Sequence, residues 1–220
     1  MKMNNEKLER RFIDLMDCNF QTVKRDESDG VYKIKGTPIV YNRECVLYES
    51  EHFRLTEVIE PGAARDALLR AEQVLLWNHE SSKPMAARKN NTLSVREDMN
   101  GVYIEADISG TVWGRDGYEA INSGLVDKMS FGFYVNEDGY TEERFVENGK
   151  RCCKRSVNKI DRIIDFSPVT YPAYKDTDVK ARDIDNLQKE FEADEARVKL
   201  RDEANKKISE ITEFADKHNK

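Results

Sequence analysis

Between Val31 and Val169 the apolar residues recur mainly with a period of two, which predicts strands with one buried face. The stretches "VYKIKGTPIVYN" and "CVLYES" are rich in β-branched and aromatic residues. The clearest hairpin is "TLSVREDMNGVYIEADIS". Leu93 and Val95 alternate on one arm, Val102, Ile104, Ala106 and Ile108 on the other, and Asn100-Gly101 supplies the turn. A second hairpin, "RFVENGKRCCKRSV", turns at Asn148-Gly149, and "DKMSFGFYV" and "KIDRIIDFSPV" read as further strands. Twice the period changes. "EVIEPGAARDALLRAEQ" predicts a helix with Pro61 in its first turn, and "GRDGYEAINSG" a short helix stopped by Gly124. Val74-Leu75-Leu76-Trp77 is a short apolar run, consistent with a fully buried strand that surfaces at Asn78-His79-Glu80.

The flanks differ from this middle. Residues 1–27 are polar, with a short helical pattern around Leu8, Phe12 and Leu15. Residues 183–220 are half charged and contain no glycine or proline; Ile184, Leu187, Phe191, Val198, Ile208, Ile211 and Phe214 form a sparse, helically spaced stripe. The organisation expected is a polar N-terminal segment (1–27), a β-rich domain (28–182) and a charged helical tail (183–220). The fold class expected is α+β and mainly β. Many strands with two short helices suggest a closed or nearly closed, antiparallel-rich barrel decorated by those helices, with the charged helix appended.

Composition narrows the function classes. Of 220 residues, 35% are charged and the net charge is −6 without a concentrated basic block, so a nucleic-acid surface is not expected. No stretch approaches the roughly 18 apolar residues of a membrane span. The opening residues lack the apolar core of a signal peptide, which makes a cytosolic setting the expectation. Cys18, Cys45, Cys152 and Cys153 show no C-x-x-C spacing, and His52, His79 and His218 are far apart, so neither a metal nor another cofactor is expected.

Three residues stand in unusual places. His79 follows the buried run. In "DKMSFGFYV", Met129, Phe131, Phe133 and Val135 share one face, which leaves Ser130 on the other with Gly132 beside it, a glycine that gives space next to the hydroxyl. In "KIDRIIDFSPV", alternation puts Ile160, Ile164 and Phe166 on one face and Asp161, Ile163, Asp165 and Ser167 on the other, with Asp165 among apolar neighbours. A carboxylate there needs a hydrogen-bond donor. A hydroxyl, an imidazole and a carboxylate are the parts of a nucleophilic triad, although spacing alone does not bring them together. For each residue an ordinary role, surface serine or structural ion pair, remains open on this ground.

Four motifs in order, "EVIEPGAARDAL", "LLWNHESSKPMAA", "GLVDKMSFGF" and "IDFSPVTYPAY", resemble the prohead (capsid-maturation) serine proteases of tailed bacteriophages over about residues 30–180. That family is similar in fold to the herpesvirus assemblins, so the resemblance implies an assemblin-like barrel. It also implies His79 (after Asn78) as general base, Ser130 (in Ser130-Phe131-Gly132-Phe133) as nucleophile, and Asp165 as the acidic third member. Asp165 precedes a segment running from Ser167 to Ala173. The family commonly has glutamate where this chain has the shorter Asp165, and Pro168 is an insertion. Glu80 and His52 stay open as substitutes for the third member, His52 because assemblins use a second histidine.

The implied reaction is peptide-bond hydrolysis through an acyl-enzyme on Ser130, with no cofactor. The loop after Asp165 is the suspected source of oxyanion-binding N–H groups. The implied substrates are the phage scaffold and major capsid proteins, and the chain itself near Arg182. The implied location is the immature prohead in the host cytoplasm. Homo-oligomers are possible; nucleic-acid and membrane partners are not expected. Two rival classes are a catalytically inactive structural protein of the same fold and a thiol hydrolase using Cys152 or Cys153, whose Lys/Arg-rich hairpin could lower a thiol pKa.

Overall fold

A computed structural model describes residues 7–23, 30–171 and 181–218. The chain groups into two compact units, Met1–Asp178 and Val179–Lys220. Among its described residues the second unit holds one long helix, α3 (Ala181–His218), whose mean hydropathy is low. No helix among the described residues is long and apolar enough to cross a membrane.

Among its described residues the first unit contains thirteen strands and two short α-helices: β1 (Lys7–Asp14), β2 (Gln21–Val23), β3 (Lys33–Val40), β4 (Cys45–Glu49), β5 (Phe53–Ile59), α1 (Arg65–Leu68), β6 (Val74–Leu76), β7 (Pro84–Ala87), β8 (Leu93–Glu97), β9 (Gly101–Asp107), α2 (Val112–Asn122), β10 (Lys128–Val135), β11 (Tyr140–Glu147), β12 (Lys150–Val157) and β13 (Arg162–Val169). The class is therefore α+β and mainly β. The strands form three sheets, in the orders β1-β10-β13-β6-β7, β11-β12-β5-β4 and β2-β3-β9-β8. Among the described residues these do not close into the barrel expected from the pattern. Alternation fixes which face of a strand is buried, whereas closure depends on which strands become neighbours, and the pattern is silent on that.

Local signals fared unevenly. The two hairpins form at the expected turns, β8–β9 across Asn100-Gly101 and β11–β12 across Asn148-Gly149. Asn148 and Gly149 both have positive φ, 52° and 78°. Helix α2 starts at Thr111, whose hydroxyl accepts from the Gly114 N–H, and stops before Gly124, whose φ is +76°. The helix expected through "EVIEPGAARDALLRAEQ" shrinks to the four residues of α1. Val58 and Ile59 are taken by β5, Pro61 sits in a turn outside the helix, and the chain must straighten again to enter β6 at Val74.

The helical pattern around Leu8, Phe12 and Leu15 is overturned. Lys7–Asp14 is an antiparallel strand paired along its whole length with β10, from Lys7 opposite Val135 to Asp14 opposite Lys128. A spacing of four satisfies both periods, so Leu8 and Phe12 cannot distinguish them. The deciding residue is Arg11, which is buried. Its guanidinium donates to both oxygens of buried Glu57 on β5, at 2.6 and 2.8 Å, also contacts Glu9, and lies 5.4 Å from the Phe133 ring centre. Burial pushes the guanidinium pKa down, but pairing with Glu57 and Glu9 outweighs this and the net shift is upward.

This fork ties the β1-β10-β13 sheet to the β12-β5 sheet. Arg11→Met would leave Glu57 charged and buried without its partner. We expect a loss of about 3–5 kcal/mol in unfolding free energy, read from the denaturant midpoint. A loss below about 1 kcal/mol would show the pair to be energetically idle.

The core lies between the sheets. Met129, Phe131 and Phe133 of β10 are buried with Ile163 and Phe166 of β13, and Phe131 and Phe133 stack with ring centres 5.0 Å apart. One residue departs from the expected alternation. Gly132 pairs with Asp165, but Phe133 pairs with Ile163, so Ile164 is an unpaired extra residue. The bulge shifts the phase of β13. Ile163, not Ile164, joins Phe166 in the core cluster, and Asp165 and Ser167 keep the opposite face.

Candidate active site

The site grows from two neighbouring strands. In the antiparallel β10–β13 pair, Ser130 lies opposite Ser167 and Gly132 opposite Asp165. Directly paired residues share a face, so a Ser-x-Gly strand and an Asp-x-Ser strand put two hydroxyls and a carboxylate on one patch. The patch is well shielded: Ser130 is 1% exposed, Asp165 3% and Ser167 0%.

His79 comes to this patch from β6, which runs parallel to β13 with Val74 opposite Asp165 and Leu75 opposite Phe166. Beyond β6 the chain turns sharply. Asn78 and His79 both take left-handed backbone conformations, φ +51° and +59°. Asparagine and histidine are among the few residue types that tolerate this region. The turn is anchored on both sides. Glu80 N–H donates to the Trp77 carbonyl (2.9 Å), and Asn78 N–H donates to the Pro168 carbonyl (3.1 Å). The Asn78 side-chain oxygen accepts from Thr170 N–H at 2.9 Å. Asn78 thus pins the histidine turn to the end of the strand that carries Asp165.

The resulting contacts form one line. His79 Nδ1 is 2.6 Å from Asp165 Oδ2, and His79 Nε2 is 2.7 Å from Ser130 Oγ. The tautomer that fits has a proton on Nδ1, donated to the carboxylate, and a bare Nε2 that accepts from the Ser130 hydroxyl. A hydroxyl bonded to a neutral imidazole, which is itself held by a carboxylate, is able to lose its proton as it attacks an electrophilic carbon. Asp165 Oδ2 also accepts from Ser167 Oγ at 2.5 Å.

Gly132 has a different task from the one expected. A Cβ built on it would meet Asp165 Oδ1 at 2.5 Å, so the missing side chain makes room for the carboxylate, not for the Ser130 hydroxyl. That carboxylate is held on its other oxygen by two donors and cannot swing aside freely. Gly132→Ala is expected to displace it or spread the strands. A misplacement near 1 Å costs roughly 10²-fold. The rate of serine-directed fluorophosphonate labelling measures this, and an unchanged rate would show that the carboxylate position is not critical.

The substitutes for the third member lie elsewhere. The Glu80 carboxylate pairs with Lys83 Nζ at 3.0 Å. His52 sits in the β4–β5 turn, exposed, with Glu51 as its nearest acid at 3.9 Å. The thiols are remote in the fold from His79: Cys152 and Cys153 belong to β12, in another sheet. The basic hairpin does not activate Cys153, because burial pushes its thiol up to about 11. All four cysteines are free. Pro172 and Ala173, and with them part of the loop suspected of binding an oxyanion, lie outside the described residues.

A sequence profile of caudovirus prohead serine proteases matches residues 19–190. The chain belongs to that family. No curated protein matches it, and no solved structure does. The match to the prohead protease family spans β2 to β13, including His79, Ser130 and Asp165, and runs into α3. It makes the chain a serine peptidase by family, with a role in phage capsid maturation.

Sequence reasoning did not find the Ser167 hydroxyl, the Asn78 anchor or the bulge at Ile164. A signal for the first was present. Two strands reading Ser-x-Gly and Asp-x-Ser align their small and polar residues only in one antiparallel register.

Proposed function

We propose that the chain is a serine endopeptidase that cleaves the phage scaffold and major capsid proteins, and itself, inside the immature prohead in the host cytoplasm. The single observation that carries the reading is the pair of short contacts at His79, 2.7 Å to Ser130 and 2.6 Å to Asp165. The family match supplies the setting.

The steps follow from that geometry. Ser130 Oγ attacks the carbonyl carbon of the scissile peptide while its proton passes to His79 Nε2. Asp165, accepting from Nδ1–H, keeps the ring in the productive tautomer and stabilises the imidazolium. Collapse of the tetrahedral intermediate breaks the C–N bond, and the leaving amine takes the proton from Nε2. Water then enters, His79 removes its proton, and the ester of Ser130 is hydrolysed. The oxyanion is held by backbone N–H groups.

The test is co-expression with the cognate scaffold and capsid proteins. Wild type shortens both, and Ser130→Ala shortens neither. A wild-type chain that leaves both full length would favour an inactive structural role. Removal of residues 183–220, a charged helix suited to docking within the scaffold, is expected to spare peptide cleavage in solution and to lower incorporation into proheads. Normal incorporation of the truncated chain would exclude that docking role.

A further inference from the structure

We propose that Ser167 is a positioning residue of this site: its hydroxyl holds the Asp165 carboxylate in the orientation that the bond to His79 requires. The inference rests on the triad reading above and adds a fourth polar side chain to it.

Ser167 is 0% exposed, and its Oγ–H donates to Asp165 Oδ2 at 2.5 Å, the same oxygen that accepts from His79 Nδ1 at 2.6 Å. The other carboxylate oxygen faces the bare Cα of Gly132. One oxygen is thus pinned by two donors, and the other is seated where no side chain intrudes. This fixes both the position and the plane of the carboxylate.

The type of donor matters. Among the described residues, the one basic group within ion-pair distance of Asp165 is His79. A lysine or arginine at the place of Ser167 would satisfy the buried carboxylate but also neutralise it, and the charge would no longer be available to the imidazolium. A hydroxyl satisfies a lone pair and leaves the negative charge in place. Packing alone does not ask for this group, since alanine would fill nearly the same volume. The strand register explains why the donor comes from here: Ser167 lies two residues beyond Asp165 on the same face and directly opposite Ser130.

The test compares Ser167→Ala with the pair Ser167→Thr and Ser167→Val, two side chains of the same shape that differ in the hydroxyl. Three readouts are taken: the second-order rate of fluorophosphonate labelling at Ser130, kcat and KM on a peptide spanning a processed site, and the downfield proton resonance of the His79 Nδ1–H. A hydrogen bond to a charged group predicts roughly a ten- to hundredfold effect.

Ser167→Ala is therefore expected to label at least about tenfold more slowly, with the loss in kcat and KM unchanged. Thr is expected to exceed Val by a similar factor and to keep the downfield resonance, which Val shifts or loses. Equal rates for Thr and Val, at whatever level, overturn the proposal, as does a wild-type rate for Ala. Ser130→Ala runs beside them. If it still cleaves, the triad reading itself fails; if it is inert while the Ser167 variants match wild type, only the role of Ser167 fails.

Discussion

Ser130→Ala is expected to abolish cleavage while leaving the protein folded. The side chain lost is a small hydroxyl that bonds to His79 Nε2, so the strand and its buried core face are untouched. Unfolding free energy should change by no more than about 1.5 kcal/mol, the usual worth of a single neutral hydrogen bond. Turnover should fall far more. In serine proteases that work through such a triad, loss of the nucleophile or of the histidine costs on the order of 10⁶-fold, and the two losses do not add. His79→Ala should match Ser130→Ala, and the double variant should be no worse than either. Peptide kinetics check the pattern. Independent, additive losses would mean that the two side chains do not act on the same step.

The second large effect is at Asp165. Asp165→Asn keeps the size of the side chain but removes the charge and places an N–H where the carboxylate accepted one. His79 would then turn a bare nitrogen toward the introduced amide and a protonated one toward Ser130, so that the hydroxyl has no base. The analogous change in an established triad costs about 10⁴-fold, and a similar loss in kcat is expected here. Asp165→Glu is expected to be less harmful, because the resembling family commonly carries glutamate at this place. Glu80→Gln and His52→Ala serve as controls. Glu80 is engaged with Lys83 and His52 is at the surface, so both variants should stay near wild type. An active Asp165→Asn beside an inactive Glu80 or His52 variant would mean that the third member is another residue.

What the sequence disclosed, and what it did not, divides along physical lines. Hairpins closed by Asn-Gly were legible because the turn chemistry is local. The face of Ser130 was legible because its neighbours Met129, Phe131 and Phe133 are all large and apolar. The β1 strand was misread because Leu8 and Phe12 fit either period, and its true partner, β10, lies more than a hundred residues away. Non-local pairing also decided the sheets: three open sheets and a barrel can be built from the same alternating strands. At the site, the bulge at Ile164 could not be anticipated, since it arises from the pairing of β10 with β13 and leaves no mark in composition. Gly132 was recognised as making space, but which atom fills the space depends on that same register. The meeting of His79, Ser130 and Asp165 drew on the resemblance to a family, because spacing along the chain gives no distance across a sheet.

The most direct measurement is mass-spectrometric mapping of the wild-type protein after treatment with a fluorophosphonate, beside Ser130→Ala and His79→Ala. The triad account predicts a single adduct on the peptide that contains Ser130, absent in Ser130→Ala and formed far more slowly in His79→Ala. An adduct on another residue, no adduct on a wild-type protein that cleaves its substrate, or equal labelling with and without His79 would contradict it.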